Sequence, residues 1–300
     1  MKRIGVAMAL ALAATALYAR DNNPDAGVPV SVVVTVKQSA NAQLTPDNTL
    51  VSQDKERRPI TSLEPLRSSN GMQVWVLIDD GLGKDFGNQL SDVRRFILSQ
   101  PANVQIGVGY IRNGFVSDAQ PLTADHDLAA KALRLPTGPP GIAASPYSAL
   151  TELIHKWPTS RAAREVVLIS SGIDPDFGAG PQNPYLEHAI DTAERGDVVV
   201  YAIYYPGAGA GRGRLTFWGE NYLAQISQDT GGELYWIGPQ QPVSLAPFLD
   251  QVTARLNGQY LLTFLARPVS KAGLRALSVK SELPHVKITA PSQVYVPASQ

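Results

Sequence analysis

Residues 74–87 read VWVLIDDGLGKDFG, an apolar run that meets two aspartates, then glycines and a lysine, before helical periodicity begins. A strand that passes through acidic residues and glycine into a helix could hold a phosphate, a metal ion or neither. A P-loop needs G-x-x-x-x-G-K-[ST], so that backbone amides cradle the phosphates and a hydroxyl meets magnesium. Here Lys84 is followed by Asp85, and Ile78 stands where the first glycine belongs. The dinucleotide fingerprint G-x-G-x-x-G fails as well. Gly81, Gly83 and Gly87 miss its spacing by one residue, and Asp79 and Asp80 would repel a pyrophosphate. The later GAGAGRGR (207–214) spaces its glycines by two throughout and reads as a loop after a strand.

Outward from this stretch, QVWVLI (73–78), NVQIGVGYI (103–111), EVVLIS (165–170), DVVVYAIYY (197–205) and ELYWI (233–237) are nearly continuous in apolar residues. Such runs predict parallel strands covered on both faces. Between them lie helical stripes: Phe86, Leu90, Val93, Phe96 and Ile97; then Tyr147, Leu150, Leu153, Ile154 and Trp157 after a Ser145 N-cap and Pro146. Leu245, Phe248, Leu249, Val252 and Leu256 form a third, after the candidate cap Ser244. The alternation predicts a doubly wound α/β domain over 71–257, with a mostly parallel sheet, helices on both faces and its ligand face at the strand C-termini.

VPVSVVVTVKQ (28–38) reads as one firm strand, followed by one or two weak ones up to Asn70. Runs at 258–268, 273–281 and 285–298 alternate like antiparallel strands. Neither flank is large enough to fold alone, so 20–70 and 258–300 are expected to pair as a small β module.

Composition narrows the function. With 26 Lys plus Arg against 26 Asp plus Glu and no basic block, nucleic acid is an unsuitable partner. MKRIGVAMALALAATALYAR has the charged start, short apolar run and small residues of a signal peptide, here assigned to 1–19. The mature protein is therefore expected to be exported, periplasmic or secreted, with membrane contact only if that leader is not cleaved. The absence of cysteine removes disulfides and thiolate metal sites. His126, His155, His188 and His285 lack the i, i+4 spacing of a helical zinc pair.

Five motifs in order resemble the von Willebrand factor type A (VWA) domain. VWVLIDDGLG resembles its first strand and metal-ion-dependent adhesion motif D-x-S-x-S, GIAASPYSAL (141–150) its next helix start, and VVLISSGIDPD (166–176) its V-V-L-L-T-D-G-x-D strand. VVVYAIYY and LAQISQDTGGELYWI (223–237) are similar to the later strand and the T-G-G helix end. The flanks resemble those of exported VWFA-related domain proteins of the acidobacterial type. The resemblance implies a VWA/Rossmann-like fold and an adhesion site with Asp79 as its first aspartate. It puts Gly81 and Gly83 where the two serines stand, Ala144 at the threonine and Ser171 at the second aspartate. Glycine and alanine carry no side-chain oxygen, so a family-type site loses much of its ligand shell. Asp80, Asp174 and Asp176 either supply replacement oxygens or are turn residues and solvated charges, the reading preferred here.

The resulting expectation is a non-enzymatic exported interaction or adhesion module with a degenerate adhesion site and no cofactor, dinucleotide or resident metal. It would bind a protein or a cell-envelope or extracellular polymer. The contact loops would be Asp79–Lys84, Arg112–Phe115, Pro136–Ser145 and Ser171–Gly180, with Pro139, Pro140, Gly141, Phe177, Tyr185 and Trp218 as candidate apolar contacts. One alternative is a weak Mg²⁺- or Ca²⁺-dependent adhesion domain using Asp79 and nearby aspartates. Another, a hydrolase, lacks a G-x-S-x-G motif, and no histidine can be tied to Ser170 or Ser171.

Overall fold

A computed structural model describes residues 27–37, 44–66, 71–138, 145–158, 160, 162–207 and 213–298. The leader at 1–19, residues 139–144 with Pro139, Pro140, Gly141 and Ala144, and residues 208–212 of the glycine-rich stretch lie outside them.

Strand β1 (Val28–Lys37) is followed by three shorter strands, β2 (Thr49–Gln53), β3 (Glu56–Arg58) and β4 (Ile60–Pro65). The sequence predicts fewer, because β3 is wholly charged and β4 has no buried residue, so neither carries the alternation that marks a strand. The opening stretch forms β5 (Met72–Asp79), buried along its whole length. Its alternate residues serve opposite sides of the sheet: Val74, Val76 and Ile78 enter one core, Trp75 and Leu77 the other.

After β5 the chain runs through two 3-10 turns into α1 (Leu90–Leu98) and β6 (Val104–Arg112). An Asn113–Gly114 turn, with φ of 52° and 72°, then reverses it into β7 (Phe115–Thr123). Arg112–Phe115 is thus the tight turn of a hairpin and not an open loop; Asn-Gly favours it because both central residues need positive φ. Strand β7 escaped sequence reading because FVSDAQPLT mixes polar and apolar residues without a continuous run and is mostly exposed. Next come α2 (His126–Lys131), α3 (Pro146–Lys156), β8 (Ala163–Ser170), α4 (Pro184–Arg195) and β9 (Val198–Tyr204). The domain closes with α5 (Arg214–Asp229), β10 (Leu234–Tyr235), shorter than the apolar run suggests, and α6 (Ala246–Asn257).

The central sheet runs β10-β9-β8-β5-β6-β7, parallel except for β7. Counted from β5, this is the doubly wound order 3-2-1-4-5-6, whose switch point falls between β5 and β8. Helices α1, α2 and α6 bury Val93, Phe96, Ile97, Ala129, Leu249, Val252 and neighbours on one face. Helices α3, α4 and α5 bury Tyr147, Leu150, Leu186, Ala189, Leu223 and Ile226 on the other.

The flanks form the expected β module, as two antiparallel sheets. The C-terminal strands are β11 (Gln259–Ala266), β12 (Gly273–Ser281), β13 (Lys287–Thr289) and β14 (Gln293–Val296). They interleave with the N-terminal ones as β13-β1-β11-β4 and β14-β12-β2-β3. Val30, Val32, Val34, Leu262, Phe264, Val279 and Val296 share the core between the two sheets. Val33 and Leu261 belong instead to the α/β core, which joins module and domain.

Candidate functional site

Asp79 ends β5 on the same side as Trp75 and Leu77, beside the switch point where the helices part. It caps the following 3-10 turn, Asp80–Leu82: the Gly81 N–H donates to its Oδ1 at 2.8 Å. The Ser170 hydroxyl at the end of β8 donates to Oδ2 at 2.9 Å and itself accepts the Gly172 N–H at 3.0 Å. Burial raises the Asp79 pKa from 3.8 to about 6, against the opposing hydrogen bonds from Gly81 and Ser170; the Asp80 charge adds to the rise. Gly83 follows at φ 87°, a backbone region costly for residues with a Cβ, which explains this glycine without phosphate or metal.

Asp80 turns away from Asp79 and is 1% exposed. Arg134 Nη1 donates to its Oδ1 at 2.7 Å and the Thr137 N–H donates to the same atom at 2.8 Å. The Gly138 N–H donates to its carbonyl at 3.0 Å. Burial opposes ionisation of Asp80, but Arg134 and Thr137 outweigh it and hold the pKa below the ordinary carboxylate value. The Arg134 guanidinium lies 3.7 Å from the centre of the Tyr110 ring. The Tyr110 hydroxyl fixes the Arg134 backbone, donating to its carbonyl and accepting from its N–H, both at 2.7 Å.

The segment after β8 is set by close backbone packing. Gly172 has φ 70°, and a Cβ there would sit 2.2 Å from the Gly219 carbonyl oxygen of α5. Ser171, carried over from the family motif as a ligand, is buried but does not reach Asp79; its neighbour Ser170 does. Asp174 is a buried turn residue whose oxygens accept from the Asp176 N–H at 3.1 Å and from Asn183 Nδ2 at 3.0 Å. Asn183 in turn caps α4. Asp176 and Lys84 are exposed. Ser145 caps α3 by accepting the Ser148 N–H at 3.3 Å, and Pro146 occupies the first turn.

These contacts decide how the residues fit a divalent ion, which needs several converging oxygens with free lone pairs. Both Asp79 oxygens and the Ser170 oxygen already accept protein hydrogens, Asp80 faces a guanidinium, and Asp174 serves its own turn. Gly81 and Gly83 contribute no side-chain oxygen. Among the described residues no group of three or more His, Cys, Asp or Glu side chains is placed to hold a metal. Among the described residues the donor set is short of the side-chain oxygens that a divalent ion needs.

Sequence reasoning did not connect Ser170 to Asp79, nor Arg134 and Thr137 to Asp80. Ser170 was within reach, because it is the last residue of its strand and follows Ile169, which pairs with Ile78, the residue before Asp79. Arg134 and Thr137 carry no sequence signal, lying more than fifty residues from Asp80.

The strand-end face also carries exposed apolar side chains. Phe115 (62% exposed) follows the hairpin turn, Leu135 adjoins Arg134, and Tyr185 stands in the first turn of α4. Leu215 and Phe217 (59%) stand in the first turn of α5, and Trp236 follows β10. Phe177 and Trp218 are instead partly buried against Tyr222.

The α/β domain has the doubly wound, mostly parallel sheet that the resemblance implies, and the described parts of the quoted motifs lie at strand ends and helix starts. Among solved structures the chain is similar to an aerotolerance-related membrane protein from Bacteroides fragilis NCTC 9343, at 13% identity and TM-score 0.46 over 62% of this chain and 99% of that one. It is also similar to BatB from Bacteroides thetaiotaomicron, at 16% identity and TM-score 0.45 over 62% and 97% of the two chains. The ArnB paralog VWA2 from Sulfolobus acidocaldarius aligns at 14% identity and TM-score 0.42, over 89% and 76%. No family model and no curated protein matches the sequence. No helix among the described residues is long and apolar enough to cross a membrane.

Proposed function

We propose that the protein is an exported, non-enzymatic interaction or adhesion module. It binds a protein, or a polymer of the cell envelope or extracellular space, through its strand-end loops. The observation that carries this reading is the set of exposed apolar side chains around that face, with Phe115, Leu135, Tyr185, Leu215, Phe217 and Trp236 contributed by five segments far apart in sequence. Apolar groups concentrated on loops held by a rigid sheet suit macromolecular contact. The adhesion site is degenerate, and the binding needs no divalent ion: hydrogen bonds from Gly81 and Ser170 take the place of metal contacts at Asp79, and Arg134 supplies the positive charge beside Asp80. A non-enzymatic role is supported by Ser170, whose hydroxyl is committed to Asp79, and by the lack of any serine–histidine hydrogen bond among the described residues.

Two measurements test the proposal. In the first, a Phe115→Ser/Phe217→Ser variant should unfold like the parent yet lose capture of partners from the native envelope; unchanged capture would remove this face from the mechanism. In the second, calorimetric titration with millimolar Mg²⁺ or Ca²⁺ should give no specific heat. Sub-millimolar binding abolished by Asp79→Ala would instead establish the cation-dependent alternative.

A further inference from the structure

Glu165 lies near the start of β8, away from the C-terminal strand ends, and is fully buried where the β module packs on the domain. Its Oε1 accepts from Gln259 Nε2 of β11 at 2.9 Å. The same amide donates to the Tyr201 hydroxyl of β9 at 3.0 Å, and that hydroxyl is 3.1 Å from Thr35 Oγ1 of β1. Two buried acceptors in this group have no partner, Glu165 Oε2 and Gln259 Oε1. They belong to the two side chains that already share one hydrogen bond. A carboxylate has no donor to offer the orphaned amide oxygen, whereas a carboxylic acid has one. Each buried acceptor left unmade costs stability, so a single proton on Oε2 relieves both.

We infer that Glu165 is held as the neutral acid, its Oε2–H donating to Gln259 Oε1 in a two-bond acid–amide ring, and that this ring is a proton-dependent latch between the α/β domain and the β module. The groups facing it agree. From β9 comes the neutral phenol of Tyr201, from β1 the Thr35 hydroxyl, from β11 the Gln259 amide, and from the turn before β9 the Asp197 carboxyl. Arg255 of α6 acts on Tyr201 but is paired with Glu233 at 2.6 Å, and Arg164 donates to the Pro158 carbonyl at 3.4 Å and acts on Asp197 only through space. Neither cation is hydrogen-bonded to Glu165. Burial, followed by the Asp197 charge, pushes the Glu165 pKa well above the ordinary 4.5, with the Gln259 bond opposing.

Because the folded-state pKa lies above the unfolded one, the latch is complete below about pH 4.5 and is lost as pH rises through the folded value. Within that window the folding equilibrium constant contributed by this group falls about tenfold per pH unit. Glu165→Gln mimics the neutral acid, since its amide N–H can close the same ring. In urea titrations from pH 4 to pH 9 the full chain should show this decline relative to the variant. Difference infrared spectroscopy at pH 7.5, where Asp79 and Asp197 (each with a pKa of about 6) are ionised, should reveal a protonated-carboxyl band in the parent that Glu165→Gln removes. Parallel pH profiles for parent and variant would overturn the inference. So would the absence of that band in the parent, a result that stands even if the variant does not fold.

Discussion

Replacing Asp79 by asparagine separates a carboxylate that serves packing from one that serves a cation. Asparagine keeps an oxygen for the Gly81 N–H, and its amide can donate to the second lone pair of the Ser170 hydroxyl oxygen, the first being taken by the Gly172 N–H, so both contacts at 2.8 and 2.9 Å can be kept. What changes is the charge. An aspartate whose pKa rises from 3.8 to about 6 on folding gains nothing from ionising. Its contribution is full below pH 3.8 and falls through pH 6, and the ionised form costs about 3 kcal/mol by pH 7.5. Asp79→Asn should therefore raise the unfolding free energy by about 2–3 kcal/mol at pH 7.5 and change it little at pH 4. Urea unfolding of parent and variant across that range, with and without a chelator, reads the difference directly. Other buried acids titrate in the same interval but cancel between the two proteins. A loss of stability in the variant at pH 7.5, together with destabilisation of the parent by chelator, would falsify the metal-free account of this site. It would mean that the carboxylate is compensated by an ion that asparagine cannot hold.

Gly172→Ala should lower stability by about 2–4 kcal/mol in thermal or urea unfolding, because the residue sits at φ 70° and its new Cβ would lie 2.2 Å from the Gly219 carbonyl oxygen. A neutral result would show that α5 is not seated on the turn after β8. Arg134→Ala should cost about 2 kcal/mol, since it strips the buried Asp80 carboxylate of its counter-charge; the 39% exposure of the arginine side chain keeps the loss below that of a fully buried pair. A double-mutant cycle with Asp80→Ala should return a coupling of about 1–2 kcal/mol, whereas additive losses would mean that the pair is incidental.

The fold was legible because its signals are local. Continuous apolar strands such as β5, β8 and β9, helical stripes such as Leu150 to Trp157, and the Ser145 cap each express a period or a cap within a dozen residues. Strand β7 escaped, and three strands instead of one or two follow β1, because an exposed edge strand needs backbone pairing and not an apolar pattern. Of the candidate site, Asp79 and its two glycines could be read from one stretch, and so could the poverty of oxygen ligands around them. The fate of each charge could not. Whether Asp80 meets a cation, whether Ser170 or Ser171 reaches Asp79, and whether Asp174 turns toward its own loop all depend on which loops the sheet brings together. The sequence by itself determined the apolar central strands and three helical stripes, their α/β order and the absence of hydroxyls at positions 81 and 83, since these follow from residue type and spacing. Only the tertiary structure decided that Arg134 neutralises Asp80 and that Gln259 meets Glu165, because hydrogen bonding and desolvation act across space between residues 54 and 94 positions apart.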